Sequence, residues 1–117
     1  MSFPATYNFR YYVGDTADFE LAPQSVNGTP MDLAGYIANF VISDVKEPDP
    51  EWSVDGFCEI RNNMTTIFCS ISPDVGRQLT KSLYYYDVEI RKVDTRELVY
   101  TLLKGEITPE IGVNRHV

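Results

Sequence analysis

SLYYYDVEIRKVDTRELVYTLLKGEIT, from Ser82 to Thr108, sets three tyrosines side by side and closes on a strand punctuated by glycine. Side chains of a strand point to opposite faces with period two. Tyr84, Tyr86, Val88 and Ile90 therefore share one face, and Tyr85, Asp87, Glu89 and Arg91 the other. The first set reads as core and the second as solvated surface. A two-residue hairpin turn at Asp94-Thr95 would place Ile90 opposite Val99, Val88 opposite Thr101 and Tyr86 opposite Leu103, so that the buried sets of both strands meet. Of the three tyrosines only Tyr85 then points outward. Beside acids and Arg91 it reads as a cross-strand or partner contact and not as a catalyst.

Strand signals recur before this hairpin roughly every ten residues. They cover 8–13, 17–22, 36–43, 56–61, 65–72, 83–91 and 97–108, and turn chemistry separates them at Gly14-Asp15-Thr16, Asn27-Gly28-Thr29-Pro30, Asn62-Asn63 and Asp94-Thr95. Short strands with such punctuation predict an all-β fold, a single antiparallel β-sandwich over 1–117. Its expected core includes Phe40, Ile60, Ile67, Ile71, Tyr84, Tyr86, Val88, Ile90 and Leu103. One short helical turn is expected in SPDVGRQL at 72–79, where Ser72 can cap, Pro73 suits the first helical position and Asp74 complements the dipole, while Gly76 weakens it. The segment from Asp44 to Asp55 is the longest irregular connection, and residues 1–6 and 109–117 read as extended tails.

The chain has 117 residues, enough for one core. Seventeen acids against ten Lys and Arg give a formal charge of -7, with the bases scattered, so no basic face is available for nucleic acid. No apolar run reaches bilayer-spanning length, and MSFPATYNFRYY lacks the order of a secretory signal. A cytoplasmic setting is expected, without a membrane partner. Cys58 and Cys69 fall on inward positions of neighbouring strands; a four-residue loop would set them directly opposite and a two-residue Asn-Asn turn would leave them diagonal. The sequence leaves both registers open. In a reducing compartment two free thiols are favoured over a disulfide, and two thiols with the distant His116 are too few ligands for zinc.

Catalytic patterns are scarce. His116, the single histidine, lies one residue from the end, and no nucleophile elbow or phosphate-cradling glycine loop is present. Asp44, Glu47, Asp49, Glu51 and Asp55 crowd one loop, but their spacing matches no EF-hand, and Lys46 with two prolines interrupts them. This reads as a solvated acidic loop. No cofactor or metal is expected. Trp52 in that loop is the one aromatic expected to stand exposed as a stacking platform, which keeps a carbohydrate-binding module in view.

Gly14-Asp15-Thr16, then Asp18-Phe19-Glu20-Leu21, then Gly28-Thr29-Pro30-Met31-Asp32-Leu33-Ala34-Gly35-Tyr36 leading into a strand, form an ordered series. Ser72 to Leu79, Tyr84 to Ile90 and the closing Gly105-Glu106-Ile107-Thr108 continue it. The series resembles small immunoglobulin-like proteins of bacteriophage virions, in which a GDT turn, a P-x-D-L-x-G-Y/W segment, a short helical turn and a closing G-x-I/V strand follow one another. Within it Asp32 can cap its turn, Leu33 can plug the end of the sandwich and Gly35 can supply a backbone angle that a side chain would resist. The resemblance implies a noncatalytic adaptor of a tail tip, collar or baseplate, assembled in the host cytoplasm as a ring of copies that docks tail fibres or other virion proteins. A capsid decoration or head-tail connector protein is the alternative placement. Candidate interaction residues are Phe3, Tyr85, Trp52, Ile111 and Val113.

Overall fold

The computed structural model describes residues 4–25, 27–47, 50–94 and 98–111. In chain order its strands are Ala5–Thr6 (β1), Phe9–Tyr12 (β2), Ala17–Leu21 (β3), Tyr36–Ser43 (β4), Ser53–Asp55 (β5), Phe57–Arg61 (β6) and Thr66–Ile71 (β7). A helical turn, Pro73–Gly76 (α1), precedes Tyr84–Lys92 (β8) and Val99–Glu110 (β9). One sheet runs β1-β9-β8-β4-β5 with β2 also on β9, and the other runs β3-β7-β6. The fold is thus an all-β sandwich, and the order of β5-β4-β8-β9 against β3-β7-β6 is that of the two sheets of an immunoglobulin-type Greek key.

The alternation of β8 places Tyr84, Tyr86, Val88 and Ile90 in the core, as expected. Phe40, Ile67, Ile71 and Leu103 join them, and Ile60 is partly buried against the same cluster. Where antibody domains pin their sheets with a disulfide and a tryptophan, this chain uses rings. Phe19 on β3 meets Phe40 on β4 at 5.4 Å between centroids and Tyr86 on β8 at 6.2 Å, and Phe40 meets Tyr86 edge-on at 5.7 Å. Such edge-to-face pairs each add about 0.5–1.5 kcal/mol to burial. Near the start of β8 the Tyr84 hydroxyl accepts the Lys81 N–H at 2.9 Å, tying the strand to the turn before it.

The register of the β8–β9 hairpin differs from expectation. Ile90 faces Tyr100 and not Val99, a bulge follows at Val88/Glu89, and beyond it Val88 faces Leu103 and Tyr86 faces Gly105. Lys92 donates its N–H to Leu98 O, so the connection is longer than two residues; Thr95, named for the turn, lies outside the described residues. Two consecutive leucines give the physical reason. Strict alternation would expose one of Leu102 and Leu103, whereas an extra residue on β9 lets both be buried.

The first strand also departs from an antiparallel arrangement. It is split into β1 and β2, both running parallel to β9 in one continuous register, Ala5 opposite Leu103 and Phe9 opposite Ile107. At the break the Tyr7 carbonyl accepts the Tyr86 hydroxyl at 2.5 Å, and Asn8 Oδ1 accepts the Glu106 N–H at 2.9 Å in place of a backbone acceptor. The chain comes so close here that a Cβ on Gly105 would lie 1.9 Å from the Tyr7 carbonyl oxygen. Glycine is therefore required at this crossing.

The Pro30–Tyr36 segment behaves as its residues suggest. Asp32 Oδ1 accepts the Ala34 N–H at 3.0 Å, Leu33 is fully buried, and Gly35 adopts φ 81°. Leu33 donates its N–H to Met64 O at 2.8 Å, anchoring the segment to the β6–β7 turn. In α1, Ser72 Oγ accepts the Val75 N–H at 3.3 Å and Pro73 opens the turn.

Candidate interaction surfaces

The outer face of the larger sheet is laid out in rows by its register. Val41, Asp87 and Lys104 form one row across β4, β8 and β9, and Ser43, Tyr85 and Glu106 the next. Val45, Lys46 and Glu47 with Pro50 rise on one side and the β1–β2 edge, through Thr6 and Asn8, on the other. Together they enclose a groove of about 590 Å³. Lys81 Nζ donates to Asp44 Oδ2 at 2.6 Å and ties that first wall to the turn before β8. The hydrogen bond and the charge of Asp44 hold the Lys81 ammonium above its usual range.

On the floor, partial burial raises the Asp87 carboxyl above the usual aspartate range, although the side chain keeps contact with solvent. Desolvation penalises the charged form and accounts for this direction. The floor therefore offers a half-buried tyrosine ring flanked by two carboxylates and one ammonium, a surface suited to a polar or charged segment of a partner.

Of the expected interaction residues, Tyr85 lies in this groove. Trp52 does not stand free. Its ring packs against Tyr84 at 5.4 Å and the residue joins the margin of the core, because the short strand β5, which sequence patterning missed, folds Ile42 opposite Val54 and draws the loop inward. Ile111 is 89% exposed at the end of β9. Phe3, Val113 and His116 lie outside the described residues, as does Asp49 of the acidic loop. Among the described residues no group of three or more His, Cys, Asp or Glu could hold a metal, and no helix is long and apolar enough to cross a membrane.

Two exposed apolar sets carry no signal in the linear sequence. Tyr7 and Tyr12 are about half exposed along the β1–β2 edge, at 51% and 50%. Ile37 and Val99 flank Arg91 on the outer face, with Val93 exposed near the same end of the sheet. A two-residue turn would point Val99 inward, and only the true register turns it out.

Cys58 and Cys69 are directly opposite on β6 and β7, since the turn between them spans the four residues Asn62 to Thr65. Their sulfurs are 3.6 Å apart and unbonded, Cys69 buried and Cys58 half-buried. No protein-family model and no curated protein matches this chain.

Proposed function

We propose that this chain is a noncatalytic structural protein of a bacteriophage virion, an adaptor of the tail tip, collar or baseplate that assembles with its own copies and docks tail fibres or other tail proteins. The observation that carries the reading is the β1–β2 edge. Among the described strands β2 pairs only with β9, so its outer row of backbone groups faces away from the sheet; Tyr7 and Tyr12 line that margin with exposed apolar surface, and Ile111 is exposed just past the end of the neighbouring β9. An open edge beside apolar side chains is a surface that accepts another chain by strand addition. The ordered motifs from Gly14 to Thr108, with their resemblance to virion sandwiches, supply the biological setting.

Trp52, half-buried and packed on Tyr84, gives the carbohydrate-module reading less support than a free-standing ring would. Placement in the capsid, as a decoration or connector protein, is separated from placement in the tail by locating the chain. Antibody labelling of particles formed in the source of this sequence is expected to mark the tail, and sedimentation of the purified chain is expected to give a closed oligomer that Tyr12→Asp with Ile111→Asp reduces to a folded monomer. Label on the capsid would favour the alternative placement. Absence from particles, together with a monomer at every concentration, would overturn the proposal.

A further inference from the structure

β6 is the edge of the smaller sheet and β7 its centre, and the ladder sets Cys58 against Cys69 with nothing between the two sulfurs. At 3.6 Å they are within reach of the roughly 2.05 Å of a disulfide by side-chain rotation and a small approach of the strands. The two thiols differ in access, because Cys69 is buried at the centre of the sheet while Cys58, on the edge strand, is only partly buried. They differ also in acidity. The hydrogen bond from Cys69 holds the Cys58 thiol below its usual range, and the same bond with burial pushes Cys69 well above it. An accessible thiol beside a buried partner is the arrangement that captures a disulfide from solution and then resolves it internally.

We propose that Cys58 and Cys69 form a covalent modification site, a cross-strand dithiol that small-molecule disulfides convert to an intrachain disulfide within the smaller sheet. The Cys58 thiolate attacks one sulfur of the external disulfide, forming a mixed disulfide and expelling the first small thiolate. Cys69 then attacks the Cys58 sulfur, the Cys58–small-molecule bond breaks, and the second small thiolate leaves. The cysteine pair loses two electrons, the external disulfide gains them, and the two cysteine protons end on the two released thiols. Directly opposed strand residues hold their Cβ atoms about 4.5–5.5 Å apart, wider than the roughly 3.8 Å mean of disulfides. Closure therefore pulls the edge strand toward its neighbour, and the bond formed is a strained one that mild reductants reopen.

The test is exposure of the folded, reduced protein to oxidised glutathione, followed by alkylation and intact-mass measurement. The wild type is expected to lose two hydrogens, keep no glutathione and resist alkylation, with both changes reversed by a mild dithiol. Cys69→Ala is expected to retain one glutathione on Cys58, and Cys58→Ala to react at least tenfold more slowly than the same variant unfolded in urea. Peptide mapping of the oxidised wild type tests the same point if a variant fails to fold, since it must show the Cys58–Cys69 linkage. A stable glutathione adduct on the wild type would overturn the proposal. So would disulfide-linked dimers, or two thiols that stay free when folded and react when unfolded.

Discussion

Tyr85 and Tyr86 are neighbours in sequence and belong to different environments. Tyr86 is buried among Phe9, Phe19 and Phe40 and donates its hydroxyl to the Tyr7 carbonyl, so burial pushes its own ionisation upward. Tyr86→Ala is expected to cost about 3–5 kcal/mol, and Tyr86→Phe about 1 kcal/mol for the hydrogen bond alone. Tyr85→Ala, on the outer face, should leave the melting temperature nearly unchanged; equal losses at both positions would refute the face assignment. Asp87, beside them, gives a pH-dependent prediction. Its folded-state pKa is raised, so the native state binds the proton more tightly and ionisation of Asp87 opposes folding above that pKa. Asp87→Asn should therefore raise the urea midpoint at pH 7, by a small amount because the side chain is exposed and solvent screens it. The gain over wild type should shrink as pH falls through the raised pKa toward the ordinary aspartate value near ~4. A gain that grows in acid would contradict the sign.

The split strand β1–β2 depends on one crossing, where Gly105 lets the Tyr7 carbonyl approach the backbone of β9. Gly105→Ala brings a methyl group within 1.9 Å of that oxygen, and overpacking of this type costs about 1–3 kcal/mol. The expected outcome is local: faster hydrogen exchange at the Tyr7 N–H, which bonds Lys104 O, and at the Glu106 N–H, which bonds Asn8, with the β3-β7-β6 sheet keeping its protection. Unchanged exchange at Tyr7 and Glu106 would show that the segment does not need the glycine. The β6–β7 turn bears a comparable local constraint. Asn62, Asn63 and Met64 all adopt positive φ, and the Met64 carbonyl is thereby presented to the Leu33 N–H, so a turn on one sheet supports the segment that plugs the sandwich.

Across the molecule, seventeen acids against ten Lys and Arg leave a charge of -7, which opposes the self-association proposed above. Electrostatic repulsion between like-charged copies reaches about 30 Å at 0.01 M salt and about 8 Å at 0.15 M. If apolar contacts along the β1–β2 edge drive association, sedimentation should show the oligomer favoured as salt rises across this range. Dissociation by the same salt would instead assign the contact to ion pairs, with the groove floor around Asp87, Lys104 and Glu106 as the place to look. A chain trimmed to residues 4–111 retains every described strand and should melt with the full-length protein; on the proposed virion role it should lose incorporation into particles if the ends carry contacts.

Period-two patterning, turn residues and a cap motif are legible in the linear chain because each acts over a few neighbouring positions. The inward set of β8, the role of Asp32, Leu33 and Gly35, and the Ser72 cap all follow from local geometry. Registers are not legible. The β8–β9 bulge arises because Leu102 and Leu103 must both reach a core built from strands distant in sequence, and the Cys58–Cys69 pairing depends on a turn whose length two asparagines leave open. The groove and the β1–β2 edge belong to the same class. They exist because the first strand lies parallel to the last, a pairing across nearly the whole chain that no local signal encodes, and the half-burial of Trp52 likewise follows from the inward fold of β5 and its contact with Tyr84.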